Sequence, residues 1–298
     1  MKVARAFSPA GLSGIFSAYI VPGDPLRSGA KGGGIALGRG VIVRVEAEES
    51  EKQSIVTLLE GKPAEMFVAR RVAERVLSLA EGTYSVTIDQ RIEVPVGGGL
   101  GTSGASALAT ALAVAKATGV KATYTELARI AHVVEVESGT GLGTISGLVV
   151  GGFVLVVEPG PPGSDRVERL LVEPRLRVVV GFYAPIDKRS VIERDGLDRI
   201  NELGEKALAR ILEDPSPERF MEESWKFALN AGLTTPRVKR GVEAALASGA
   251  IAASQAMIGE TVFALTEPED AESVEEALRK TGAKTVVSGI DWCPARLL

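Results

Sequence analysis

One cysteine and one histidine in 298 residues remove several chemistries at the outset. With Cys293 alone, no disulfide forms within the chain, and a reducing cytosol suits it. With His132 alone, multi-histidine metal sites are excluded, as is a Ser-His-Asp triad built elsewhere in the chain. On its predicted helix, His132 reads as a packed or half-exposed side chain rather than a catalyst. The net charge is −4 and no basic stripe appears, so nucleic acid is not an expected partner. No apolar run is long enough to span a bilayer and nothing resembles a signal peptide, so no membrane partner is expected and a cytoplasmic location is. What is present, 45% apolar and 24% charged residues, is ordinary for a globular chain long enough for one large domain or two packed ones.

Glycine is concentrated where it matters. Residues 94–119 read VPVGGGLGTSGASALATALAVAKATG, with five glycines between Gly97 and Gly104. An alanine-rich segment without proline follows and favours a helix. A glycine-rich turn feeding a helix start gathers unpaired backbone N–H groups at the positive end of the helix dipole, which suits a phosphate. A nucleoside-triphosphate P-loop needs Lys-Ser or Lys-Thr after its last glycine, and Ala105 follows Gly104 here. Gly99, Gly101 and Gly104 formally match the dinucleotide fingerprint GxGxxG. That fingerprint wants a second strand ending in an acidic residue, and the region KATYTELARIAHVVEVE is helical in period instead. A tight strand-to-helix connection without a ligand is the bland alternative.

Along the chain, residues 3–7 form a first predicted strand, followed by a turn through Pro9, Gly11 and Gly14. Residues 23–40 are too glycine-rich for a regular element and are expected as a mobile hairpin connection carrying Arg27 and Lys31. Strand character resumes with alternation at Val41, Val43 and Val45. The segment AEMFVARRVAERVLSLA has apolar spacings of three and four and predicts an amphipathic helix. YSVTIDQRIEVPV is a strand leading into the glycine turn, and residues 123–137 form the next helix, with Thr123 or Thr125 as N-cap. A second glycine cluster, SGTGLGTISG, precedes the apolar run LVVGGFVLVVE. Proline and glycine around residues 158–168 mark the best candidate for a subdomain joint, dividing the chain into 1–165 and 166–298. Beyond it come a buried strand, RVVVGFYAP, and helices near 189–212 and 217–230. A shorter helix ends at Gly249, two strands turn at Ile258-Gly259-Glu260, and a last helix and strand follow. The order is α+β rather than strict βαβ alternation, with a ferredoxin-like second layer.

The turn Pro95-Val96-Gly97-Gly98-Gly99-Leu100-Gly101-Thr102-Ser103 resembles the ATP-phosphate loop of the GHMP kinases, the galactose, homoserine, mevalonate and phosphomevalonate kinase superfamily. Within it, the chain is most similar to the archaeal pantoate kinases of coenzyme A biosynthesis. RAFSPAGLSGIF resembles their opening segment, with Ala10 where glycine is usual and Gly11 where they have histidine. DPLRSGAKGGGIAL resembles their Gly-Ser-Arg-Gly-Ala-Gly stretch, with Lys31 where arginine is usual. AHVVEVESGTGLGTISGLVVGG and SQAMIGETVFAL resemble two further family segments, the second a glycine turn at Gly259 that closes over the nucleotide. The resemblance implies a ribosomal-S5-domain-2-like N-terminal layer on the ferredoxin-like C-terminal one.

It also implies ATP and Mg²⁺ as cofactors, pantoate as the small-molecule partner, and phosphorylation of pantoate's primary hydroxyl. Homoserine kinase is the alternative enzyme, and a non-catalytic nucleotide-binding regulator the alternative outside catalysis. The superfamily often dimerises, so a homodimer is compatible with it. Pro95, Gly97, Gly98, Gly99, Leu100, Gly101, Thr102, Ser103, Gly104 and Ala105 would form the ATP-phosphate site. Ser103 and Glu135 match the metal-binding serine and carboxylate, while Glu137 points to another helix face. Lys31 and Thr144 are expected at the reacting centre, and Ser13, Arg27, Lys31, Gly143 and Thr144 around the substrate. Lys31 ranks ahead of Arg27 as partner of the substrate carboxylate, as a point charge rather than a bidentate fork. Thr144 stands where many GHMP kinases place an aspartate base, and threonine cannot serve as a base at neutral pH.

Overall fold

The computed structural model describes residues 1–186 and 196–298. Its frame is a long antiparallel hairpin, β1 (Lys2–Tyr19) with β2 (Gly29–Glu49), whose register shifts between Pro9 and Ala10 and between Ser13 and Ile15. The turn expected at Pro9, Gly11 and Gly14 is therefore strand, and so is most of the stretch expected as a connection over 23–40. Only residues 20–28 link the two strands. The glycines that suggested a loop instead allow close pairing: a Cβ at Gly34 would overlap the carbonyl oxygen of Leu12 on β1. Bulges absorb Pro9, which has no N–H for the ladder. Val41, Val43 and Val45 all turn into the core, as their alternation predicts.

β3 (Ser54–Leu59) and the short β4 (Lys62–Pro63) fall in a region without assignment from sequence; β3 runs parallel to β5 (Tyr84–Ile92), which pairs with β2. Helices α1 (Phe67–Leu77), α2 (Thr102–Thr118) and α3 (Tyr124–Ser138) pack together, with α2 lying against β1 and β2. Helix α2 is buried nearly all round, and its alanines allow that because they need little room between sheet and helices. Thr123, not Thr125, caps α3, in a reciprocal capping box with Glu126. The second glycine cluster is not all loop, since it holds the short helix α4 (Thr144–Leu148). β6 (Phe153–Glu158) pairs with the glycine half of β2, and β7 (Arg166–Arg169) pairs with β6.

The second sheet has the order β11-β8-β10-β9, all antiparallel: β8 (Arg177–Ala184), β9 (Ala252–Gln255), β10 (Glu260–Thr266) and β11 (Lys284–Gly289). Helices α5 (Leu197–Glu213), α6 (Pro217–Asn230), α7 (Pro236–Ala247) and α8 (Ala271–Lys280) complete this ferredoxin-like half. Ser216 and Thr235 cap α6 and α7, each ahead of a proline at the first helical position. The start of the helix expected near 189 lies outside the described residues. The proline–glycine run at 158–168 is the connection of the β6–β7 hairpin within the first sheet. We accordingly place the boundary between layers at 170–176 rather than 165/166, with β12 (Arg296–Leu297) returning to pair with β1. One apolar core joins the halves: Leu12, Ile35 and Phe153 of the first sheet meet Phe220 of α6 and Phe263 of β10. The Phe153 and Phe220 rings sit edge to face, 4.6 Å apart.

His132 on α3 is buried, and its Nε2–H faces the carbonyls of Pro25 (3.1 Å) and Ser28 (3.0 Å), pinning the 20–28 connection to the helix. Burial pushes its pKa below the ordinary imidazole value, against the weaker upward pull of those two carbonyls. The folded state thus prefers neutral imidazole. Its contribution to stability is complete above the unfolded pKa near 6.5 and is lost as pH falls toward the lower folded value. Denaturant unfolding at about pH 7.5, 6.5 and 5.5 should show stability falling with acid by up to about 1.4 kcal/mol per pH unit. His132→Gln should flatten that slope, because no other histidine is present. An unchanged slope in the variant would assign the effect to other groups.

Candidate active site

The glycine turn lies where the two layers meet. Gly101 takes a left-handed conformation (φ 59°) and serves as N-cap of α2 without any side-chain cap. The amides of Thr102, Ser103 and Gly104 have no carbonyl one turn behind them and stand at the positive end of the dipole. Ala105 differs from expectation: its N–H already donates to the Gly101 carbonyl at 3.0 Å. Leu100 is buried in the shared core and ties the turn down. From the other layer, the turn after β9 presses on it, and a Cβ at Gly259 would lie 2.5 Å from the Gly98 carbonyl carbon.

Ser103 and Glu135 come together as expected. Glu135 on α3 is only 2% exposed, and its Oε1 accepts hydrogen bonds from Ser103 Oγ and from Thr140 Oγ1, the latter at 2.6 Å. Thr140 went unrecognised in the sequence, although it sits five residues beyond Glu135 in the glycine cluster. Glu137 points elsewhere and is held by Arg71 (2.8 Å) and Arg75 (2.7 Å). A hydroxyl and a carboxylate in contact beside the glycine turn are hard oxygen donors, and they fit a magnesium ion that fills its other positions with water or ligand oxygens. Among the described residues no cluster of three or more His, Cys, Asp or Glu side chains offers a protein-only cage.

Next to the turn is a cavity of about 360 Å³ with mostly apolar walls. Ser13, Lys31, Gly143 and Thr144 all line it. Arg27 does not: it is exposed on the 20–28 connection, outside the lining. Lys31 is not free in the cavity, since its Nζ donates to Glu205 Oε1 at 2.9 Å. Thr144 opens α4, and its methyl group would lie 2.7 Å from a Cβ at Gly101. Gly11 lines the cavity while its N–H donates to the Leu100 carbonyl at 3.1 Å. Met257 and Ile258 line it too, and a Cβ at Gly99 would lie 3.0 Å from the Met257 carbonyl carbon and 3.1 Å from the Ile258 nitrogen. Cavity and turn thus share a wall.

Gly259→Ala should therefore displace the turn through Gly98 without removing any side chain of the shared core. The expected result is an ATP KM raised about tenfold or more with little change in melting temperature. An ATP KM equal to that of the wild type would show that the contact does not shape the phosphate site.

Comparison with known proteins agrees with this geometry. Residues 66–152 match the GHMP kinase N-terminal domain and residues 210–284 the GHMP kinase C-terminal domain. The chain is 30% identical to pantoate kinase of Methanocaldococcus jannaschii, over 91% of this chain and 95% of that one. It is 31% identical to pantoate kinase of Thermococcus kodakarensis, over 92% and 91%. A solved phosphotransferase related to the CoA biosynthesis pathway superposes with a TM-score of 0.91 at 28% identity, covering 99% of this chain and 98% of its own. With both of its layers matched in this way, the chain belongs to the GHMP kinases.

Proposed function

We propose that this kinase transfers the γ-phosphoryl group of ATP to the primary hydroxyl of pantoate, giving 4-phosphopantoate and ADP in coenzyme A biosynthesis. The observation that supports this is the wall shared by the glycine turn and the cavity: a hydroxyl bound in the cavity would lie beside the terminal phosphate of a nucleotide bound at the turn. Pantoate suits the cavity chemically. Its quaternary carbon carries two methyl groups for the apolar walls, and its carboxylate meets the one cationic residue of the described lining, Lys31. Homoserine would add an ammonium group, and no carboxylate is present in the described lining to receive it.

The amides of residues 102–104 and the flanking glycine turn bind the ATP phosphates, and Ser103 with Glu135 would hold the magnesium ion. When bound, that ion neutralises charge on the phosphates. The acceptor oxygen forms a bond to the γ-phosphorus as the bond to the ADP oxygen breaks. No carboxylate stands at Thr144 to take the hydroxyl proton, so it passes to a γ-phosphoryl oxygen late in a loose transition state. Thr144 orients the acceptor at the junction of turn and cavity.

ADP release measured over pantoate, homoserine and mevalonate should occur with pantoate. Turnover on homoserine alone would reassign the substrate, and ATP binding without any turnover would mark a regulator. Ser103→Ala should lower kcat about 100-fold without loss of fold, and wild-type activity in that variant would overturn the metal assignment. Lys31→Ala should raise the pantoate KM about tenfold or more while the ATP KM holds. An unchanged pantoate KM would move the carboxylate contact to another residue.

A further inference from the structure

The lysine at the cavity wall is held by a helix far away in sequence. Glu205 Oε1 accepts a hydrogen bond from Lys31 Nζ and a second from the Tyr19 hydroxyl, and the Lys31 ammonium stands 5.2 Å from the centre of the Tyr19 ring. Lys31 is on β2, Tyr19 ends β1 and Glu205 is on α5, so three elements converge on one ammonium group.

This convergence is built into the backbone. A Cβ at Gly204 would overlap the Phe16 carbonyl oxygen, so only glycine lets α5 come so close to β1. One residue turn away, Asn201 clamps Ala18 from both sides: its Oδ1 accepts from the Ala18 N–H at 2.7 Å, and its Nδ2 donates to the Ala18 carbonyl at 2.9 Å. A surface ion pair would need no such docking. The Lys31 and Glu205 side chains are 24% and 39% exposed, and Lys31 is among the residues that line the apolar cavity.

We propose that Glu205, steered by Tyr19, is a positioning residue: it holds the Lys31 ammonium at the cavity wall so that the acceptor's single carboxylate docks on the N–H groups Glu205 leaves open. Deepening the kinase function proposed above, it makes the acceptor class a monocarboxylate alcohol. An ammonium has three donors, and one is committed to Glu205. A monoanion completes the ammonium's coordination. A dianion meets the Glu205 charge, and a neutral alcohol leaves the pair undisturbed and gains nothing from it. An untethered lysine would sample many rotamers before meeting its ligand.

The test compares wild type, Glu205→Ala and Glu205→Gln by ADP release, with pantoate and ATP varied in turn. Glu205→Ala should raise the pantoate KM about tenfold with the ATP KM within about twofold of wild type, and Glu205→Gln, which keeps an acceptor oxygen for Lys31, should recover most of the loss. An unchanged pantoate KM in the alanine variant overturns the proposal. So does a parallel rise in both KM values, which marks a merely structural role, or a glutamine variant no better than alanine. Labelling of Lys31 by acetic anhydride, read by peptide mass spectrometry, gives an answer independent of the acceptor. It should quicken about threefold or more in Glu205→Ala, and an unchanged rate overturns the proposal. Absence of wild-type turnover on pantoate with quickened labelling would refute the substrate and keep the role of Glu205.

Discussion

The seating of Gly98 against the turn at Gly259 is the contact on which the rest of the site depends. It joins the helix-capping turn of one layer to the β9–β10 hairpin of the other. The shared core around Leu100, Phe153, Phe220 and Phe263 holds the layers together. Because Met257 and Ile258 belong to that same hairpin and also line the acceptor cavity, one backbone segment shapes both halves of the site. Moving it would move the phosphate cradle and the acceptor wall together. This is how two packed layers make one centre.

Electrostatics divides the site into two unlike parts. At the turn, the uncapped amides and the Ser103–Glu135 pair are groups of the kind that suit an anion and a hard cation. In the cavity the walls are mainly apolar, and Lys31, the one cation of the described lining, is already paired with Glu205. Phosphoryl transfer asks mainly for positioning and charge neutralisation, so a site without an aspartate at Thr144 is chemically coherent. The work left to side chains is to hold two substrates in line.

Much of this was legible in the chain. The glycine turn and the helix after it follow from glycine spacing, and the nearness of Ser103 to Glu135 from motif likeness. The strand pattern at Val41, Val43 and Val45 and the ferredoxin-like order of the second half follow from periodicity. Glycine misled where it served close approach rather than turning. The segment around Gly32–Gly34 reads as loop by composition, yet each missing side chain makes room for β1 or its neighbours. The hairpin at 158–168 looked like a domain joint because proline and glycine punctuate both. Glu205 could not be found at all: it is 174 residues from Lys31, and nothing local distinguishes it from the other charges on its helix. Contacts of that kind exist only after α5 has docked through Gly204 and Asn201.

The central claim is that the amides at the start of α2 hold a nucleotide's phosphates. It is tested most directly by a crystal structure with a non-hydrolysable ATP analogue, magnesium and pantoate. The account predicts the β- and γ-phosphates on the amides of residues 102–104, with pantoate's hydroxyl facing the γ-phosphorus from the cavity behind Thr144. A nucleotide bound elsewhere, with that turn empty, would contradict it.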